Sequence, residues 1–167
     1  MRPEMELSSA ATLVRTIPPQ AATVQTMTAL SRPIQVLLVE DDADAAALVE
    51  AYLTQDPASP FRLEWAPNLV ETMVRLGQPG IDVVLLDLGL PELNGYKSFR
   101  AVEATVDGNL PIVVLTSDER SVSKELTLGF GASDYLLKSK NSPSQLRQSL
   151  RNAVVLFRPR QAGSSGV

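Results

Sequence analysis

Residues 81–95 read IDVVLLDLGLPELNG. From Ile81 to Leu86 the run is apolar apart from Asp82, and Asp87 ends it abruptly. A strand with one wet face alternates apolar and polar side chains, whereas one buried on both faces does not. The run is therefore read as a strand covered on both sides, the kind found in a parallel sheet flanked by helices. The same pattern recurs along the chain. Ile34–Val39 is apolar except for Gln35 and is followed by Glu40 and Asp41. Pro111–Leu115 is followed by Thr116, and the shorter Ser133–Leu137 by Lys138. Phe61–Ala66 alternates, with Phe61, Leu63 and Trp65 on one face.

Helical patterns fill the gaps. Ala45, Leu48, Val49 and Tyr52 follow helical spacing and are expected to form a buried stripe. Leu69, Met73 and Leu76 form a second stripe, with Asn68 as N-cap and Glu71 three residues on, a capping-box arrangement. Phe99, Val102 and Val106 mark a third helix that opens near Gly95, and the fourth is expected over Ser121–Gly129. Ser142, Pro143 and Gln145 open the fifth, whose stripe is Leu146, Leu150, Ala153, Val154 and Phe157. Strict alternation of five strands and five helices predicts an α/β fold. The expectation is a flavodoxin-like (βα)5 doubly wound parallel sheet of strand order 2-1-3-4-5, with right-handed crossovers. Ligands in such sheets bind beyond the carboxyl ends of the strands, at the switch point between strands 1 and 3.

A chain of 167 residues suits one domain with tails. Residues 1–32 carry Pro18, Pro19 and much Ala, Thr and Ser, and are expected to be a disordered extension. Residues 33–158 form the predicted domain, and 159–167, ending GSSGV, a flexible tail. The formal net charge of −4 argues against a sequence-independent grip on nucleic acid. Without Cys there is no disulfide or thiolate site, and without His no Ser-His-Asp triad, phosphohistidine or imidazole-bound zinc. Neither a signal-peptide stretch nor an apolar run of membrane-spanning length is found, so a cytoplasmic protein is expected.

The predicted sheet gathers Glu40, Asp41, Asp87, Thr116 and Lys138 at one edge. Singly each is ordinary: a loop acid, a strand-end hydroxyl, a solvated lysine. Together they supply carboxylates for a divalent cation, a carboxylate for covalent chemistry, a hydroxyl and a cation. Clustered carboxylates raise one another's pKa, and a bound cation keeps them ionised. Oxygen-only ligands suit Mg²⁺ or a similar hard ion such as Mn²⁺. This is equipment for phosphoryl transfer.

Four motifs stand in order: VLLVEDD at 36–42, VVLLDLGLPELNG at 83–95, PIVVLTS at 111–117 and GASDYLLK at 131–138. Their order and spacing closely resemble the receiver domain of two-component response regulators over about residues 33–158. The likeness is to single-domain, chemotaxis-regulator-like receivers. It implies that Asp87 is a phosphoacceptor for the phosphohistidine of a sensor histidine kinase. It implies Mg²⁺ on Asp41 and Asp87, on Glu40 directly or through water, and on the Gly89 carbonyl. Lys138 would pair with Asp87 and then with the phosphoryl oxygens, Thr116 would bind the phosphoryl group, and Tyr135 would be an aromatic switch. Gly89 and Asp118 would tune the lifetime of the phosphorylated state. The chain would not be a conventional enzyme, but would catalyse its own phosphotransfer and dephosphorylation.

Two positions depart from the family pattern. Ser139 stands where Pro usually follows the lysine, which is similar to some phytochrome-associated response regulators. Gly89 stands where a larger side chain is common. With only nine residues after Arg158, a stand-alone receiver is expected. It would signal by protein contacts through the fourth helix, fifth strand and fifth helix, to an output protein or a second copy, with Val155 and Leu156 off the buried stripe. Three alternatives stay open. A phosphorylation-independent pseudo-receiver would dock without the chemistry. An aspartyl-nucleophile phosphatase would need a second acid at position 89. A flavodoxin-like cofactor binder would need a phosphate cradle where the acidic Glu40–Asp44 loop stands.

Overall fold

The computed structural model describes residues 32–55, 61–93, 95–117 and 124–159. The expected disorder of residues 1–31 and most of the expected tail lie outside the described residues, as do Asp118 and the first part of the fourth predicted helix. The elements are β1 (Ile34–Val39), α1 (Ala43–Thr54), β2 (Phe61–Ala66), α2 (Leu69–Leu76), β3 (Val83–Leu86), α3 (Tyr96–Val106), β4 (Ile112–Thr116), α4 (Lys124–Gly129), β5 (Asp134–Leu137) and α5 (Pro143–Leu156). The strands form one sheet of order β2-β1-β3-β4-β5, all parallel. This is the flavodoxin-like topology expected from the alternation of periods.

Side chains on β1, β3 and β4 alternate between two apolar layers, so both faces of the sheet are core. Leu37, Val39, Val84, Leu86, Ile112 and Val114 pack with Leu69 of α2 and Phe99, Val102 and Val106 of α3. Val36, Leu38, Val83, Leu85, Val113 and Leu115 pack with Ala46, Val49 and Leu53 of α1 and Leu146, Leu150 and Ala153 of α5. Continuous apolar runs are the sequence record of that double burial.

Two helical stripes differ from expectation. On α1 the buried positions are Ala46, Val49 and Leu53, while Leu48 faces solvent at 51% exposure. Packing against both the sheet and α5 rotates the helix from the stripe that spacing alone selects. On α5 the helix ends at Leu156, and Phe157, expected to close the buried stripe, is its extended, half-buried C-cap; Leu156 is 69% exposed, in keeping with its place off that stripe.

The starts of α2 and α5 carry the expected caps. The Asn68 side chain accepts the Glu71 N–H at 2.8 Å and donates to the Glu71 carboxylate. Ser142 and Gln145 cap each other reciprocally, with Pro143 in the first turn. Asp42 reads as a plain loop acid, but it is the N-cap of α1: its Oδ1 accepts the N–H groups of Asp44 at 2.8 Å and Ala45 at 3.0 Å. Those bonds hold the Asp42 carboxyl below its ordinary pKa. The loop after β3 closes through the Gly95 N–H on the Leu88 carbonyl at 3.2 Å. Gly95 holds a φ of 48°, a conformation that disfavours side chains, which explains a glycine there. Among the described residues, no helix is long and apolar enough to cross a membrane.

Candidate functional site

Parallel pairing puts all carboxyl ends of the strands on one edge, and three hydrogen bonds carry the ladder one residue past the strands there. The N–H of Glu40 donates to the Ala66 carbonyl at 3.1 Å, that of Asp87 to Val39 at 2.9 Å, and that of Lys138 to Thr116 at 2.9 Å. Residues distant in sequence thus converge because each follows a strand directly. The register Val39 opposite Leu86 sets Glu40 beside Asp87.

Carboxylate oxygens of Glu40, Asp41 and Asp87 lie within 4.8 Å of one another. Glu40 and Asp87 are buried, at 1% and 6% exposure, while Asp41 is exposed. Lys138 bridges the two buried acids, with Nζ 2.5 Å from Glu40 Oε2 and 2.7 Å from Asp87 Oδ2. The expected Lys138–Asp87 pair is present. The equal partnership with Glu40 was not legible in the sequence, because it depends on which way the Glu40 side chain turns. Asp87 Oδ1 also accepts the Gly89 N–H at 3.0 Å.

Burial pushes the Glu40 carboxyl above its ordinary pKa, and the Asp87 charge adds to the rise, against the opposing pull of Lys138. Burial acts to lower the Lys138 pKa, but its hydrogen bonds to Asp87 and Glu40 outweigh that, and the ammonium is held above its ordinary value. Lys138 therefore stays charged and offsets only part of the triad's negative charge. Three carboxylates with no nitrogen or sulfur donor form a set that fits a hard divalent cation.

The other predicted residues fall around this cluster. Thr116 ends β4 and is buried. Gly89 is exposed, and a Cβ placed there would meet the Asp87 carboxylate at 3.4 Å, so the position borders the acid directly. Tyr135 is buried in β5, in the layer shared with α2 and α3. The turn after Lys138 is closed without proline, by the Lys140 N–H at 3.1 Å and the Asn141 side-chain amide at 2.7 Å, both on the Leu137 carbonyl. Two further contacts were not legible in the sequence. The Trp65 indole N–H donates to the Glu40 carbonyl at 2.7 Å, and Glu92 Oε1 accepts the Leu69 N–H at the start of α2 at 3.3 Å. The position of Trp65 one residue before the end of β2 was the available signal for the first; the second has none.

Comparison with known proteins agrees with this geometry. The family model described as the response regulator receiver domain matches residues 36–151. The transcriptional regulatory protein RstA of Escherichia coli is 35% identical over 116 residues, which is 70% of this chain and 46% of RstA. YcbL of Bacillus subtilis, an uncharacterised transcriptional regulatory protein, is also 35% identical, over 61% of this chain and 43% of its own length. The chain thus spans less than half of each of these relatives. Among solved structures, the receiver domain of the sensor histidine kinase PA1611 of Pseudomonas aeruginosa superposes with a TM-score of 0.61 at 27% identity, over 74% of this chain and 98% of that one. That structure holds a magnesium ion in its active-site cleft.

Proposed function

Because the chain belongs to the response regulator receiver family, we propose that it accepts a phosphoryl group on Asp87 from the phosphohistidine of a sensor histidine kinase. The carrying observation is the bridge of Lys138 across the two buried acids Glu40 and Asp87, beside the more exposed Asp41. Such a cluster is costly for a fold to keep unless the charges are used.

Glu40, Asp41, Asp87 and the Gly89 carbonyl would hold Mg²⁺ or Mn²⁺, which when bound supplies charge neutralisation for an incoming phosphoryl group. The rest is chemistry of the chain's own residues. An oxygen of Asp87 attacks phosphorus, the bond from phosphorus to the donor's imidazole nitrogen breaks, and an acyl phosphate forms. Lys138 shifts from the carboxylate to the phosphoryl oxygens, Thr116 donates its hydroxyl to them, and Tyr135 follows in β5. Positioning and electrostatics carry such a transfer. The reading is tested by mass spectrometry of the chain after acetyl phosphate with Mg²⁺, which is expected to show one added phosphoryl group.

The cytoplasmic setting follows from the kinase as partner. Output is proposed to pass through the α4–β5–α5 face to a protein partner or a second copy, not to nucleic acid or membrane. Support comes from Leu156, exposed on a shallow cleft lined by Ser133, Asp134 and Ser149.

Two further results are expected. Asp41→Ala should weaken Mg²⁺ binding and slow phosphorylation, with metal-free stability kept or raised, because one of three mutually repelling charges is gone. Unchanged affinity by calorimetry would reject Asp41 as a ligand. Gly89→Asn should change the decay rate of phosphorylated Asp87 several-fold with little change in melting temperature. Position 89 is exposed and a side chain there borders the Asp87 carboxylate without severe overlap. Asp118→Ala is proposed to act on the same rate. If neither variant moves it, timing is set elsewhere.

A further inference from the structure

We propose that Trp65 is a positioning residue for the cation site: its indole N–H pins the Glu40 carbonyl and thereby fixes where Asp41 presents its carboxylate. The proposal rests on the divalent-cation reading of the acidic triad and goes beyond it by giving an edge-strand residue a role in that affinity.

Both polar ends of the Glu40 backbone are held by β2. The N–H donates to the Ala66 carbonyl at 3.1 Å, and the carbonyl accepts the Trp65 indole at 2.7 Å. The second bond orients the peptide plane joining Glu40 to Asp41. On the far side, Asp42 is fixed as the cap of α1, and its N–H approaches Glu40 Oε1 at 3.4 Å. Asp41 is exposed, and it stands between these two anchored neighbours. Its carboxylate is placed by its backbone.

Packing does not account for the tryptophan. Trp65 is 45% exposed, whereas Phe61 and Leu63 on the same face of β2 pack against the core. Its one polar atom is spent on the acidic residue that Lys138 also holds. Three carboxylates drawn together repel one another, and a loosely held Asp41 would have to be ordered at each binding event. Supporting hydrogen bonds behind metal ligands act on affinity in this way.

The experiment compares the full chain with Trp65→Phe, which keeps an aromatic ring and removes the donor. Mn²⁺ binding is measured by calorimetry, and melting is measured without metal. The expected result is about fivefold weaker binding in the variant, the scale of ordering one loosened residue at each binding event, with metal-free melting lowered by no more than the few degrees that one neutral hydrogen bond is worth. Trp65 is the chain's single tryptophan, so wild-type emission should change saturably with the calorimetric midpoint. Equal affinity of the two proteins overturns the role of Trp65 and leaves the cation site standing. A loss of affinity accompanied by a loss of metal-free stability well beyond that of one hydrogen bond makes Trp65 a fold residue and overturns it as well. Failure of the wild type itself to bind Mn²⁺ removes the cation reading, and the inference with it.

Discussion

Asp87→Asn is expected to abolish phosphorylation by acetyl phosphate with Mg²⁺, to the background given by the denatured chain. The amide nitrogen has no lone pair free for attack and the amide oxygen carries no full charge, so the substituted side chain is not a competent nucleophile. The change is nearly isosteric. Lys138 keeps its bond to Glu40, so the variant should fold, and thermal melting of the same sample separates lost chemistry from lost structure. The residue sits where attack is feasible: it directly follows β3, its N–H is tied to Val39, and its carboxylate is oriented by the Gly89 N–H on Oδ1 and Lys138 on Oδ2. A phosphoryl group still found at this pocket in the variant, at the wild-type rate, would end the assignment of Asp87 as acceptor.

Lys138→Met should have the largest effect on stability. Methionine replaces the aliphatic stem but not the charge. Two buried carboxylates, Glu40 and Asp87, then face each other without a cation. Removing one partner of a buried ion pair costs about 3 kcal/mol, or roughly 10 °C in melting temperature for a domain of this size. Part of that cost can be relieved by protonation. Burial already raises the Glu40 pKa, and without the hydrogen bond from Lys138 it rises further. A carboxyl with a raised folded-state pKa binds more protons folded than unfolded, so the penalty is full near neutral pH and shrinks as pH falls through that pKa. Mg²⁺ should restore stability in the same variant, since an ion bound only by the folded state stabilises it by mass action. An unchanged melting temperature in metal-free buffer would mean that the two ion pairs contribute nothing net.

The architecture was legible because burial writes itself into composition. Ile34–Val39 and Ile81–Leu86 are apolar nearly throughout because the sheet is covered on both faces, and that alone requires helices on both sides and parallel crossovers. Strand ends were legible for the same reason: the first charged or hydroxyl residue after each run marks where the layer stops, which is why Glu40, Asp87, Thr116 and Lys138 could be placed on one edge. Asn68 and Ser142 were legible as caps because capping is local, settled within four residues.

What the tertiary structure alone decided lies in side-chain direction and in neighbours remote in sequence. The spacing of α1 allowed Leu48 to be buried with Val49; contact with both the sheet and α5 kept Val49 but chose Ala46 and Leu53 beside it. Asp42 looked like its acidic neighbours until the backbone of α1 turned its first N–H groups toward it. Lys138 was placed at the edge by its strand, but its division between Glu40 and Asp87 follows from the rotamers of both acids inside a buried site. Trp65 offered only an alternating pattern on β2, and its bond to Glu40 exists because the register of β1 on β2 sets Trp65 opposite Leu38, two residues before Glu40, where the indole reaches the Glu40 carbonyl. Periodicity along one chain reports which residues leave water. It carries no record of which polar atoms meet once they have, since that is set by the register between strands and by the turn of each side chain.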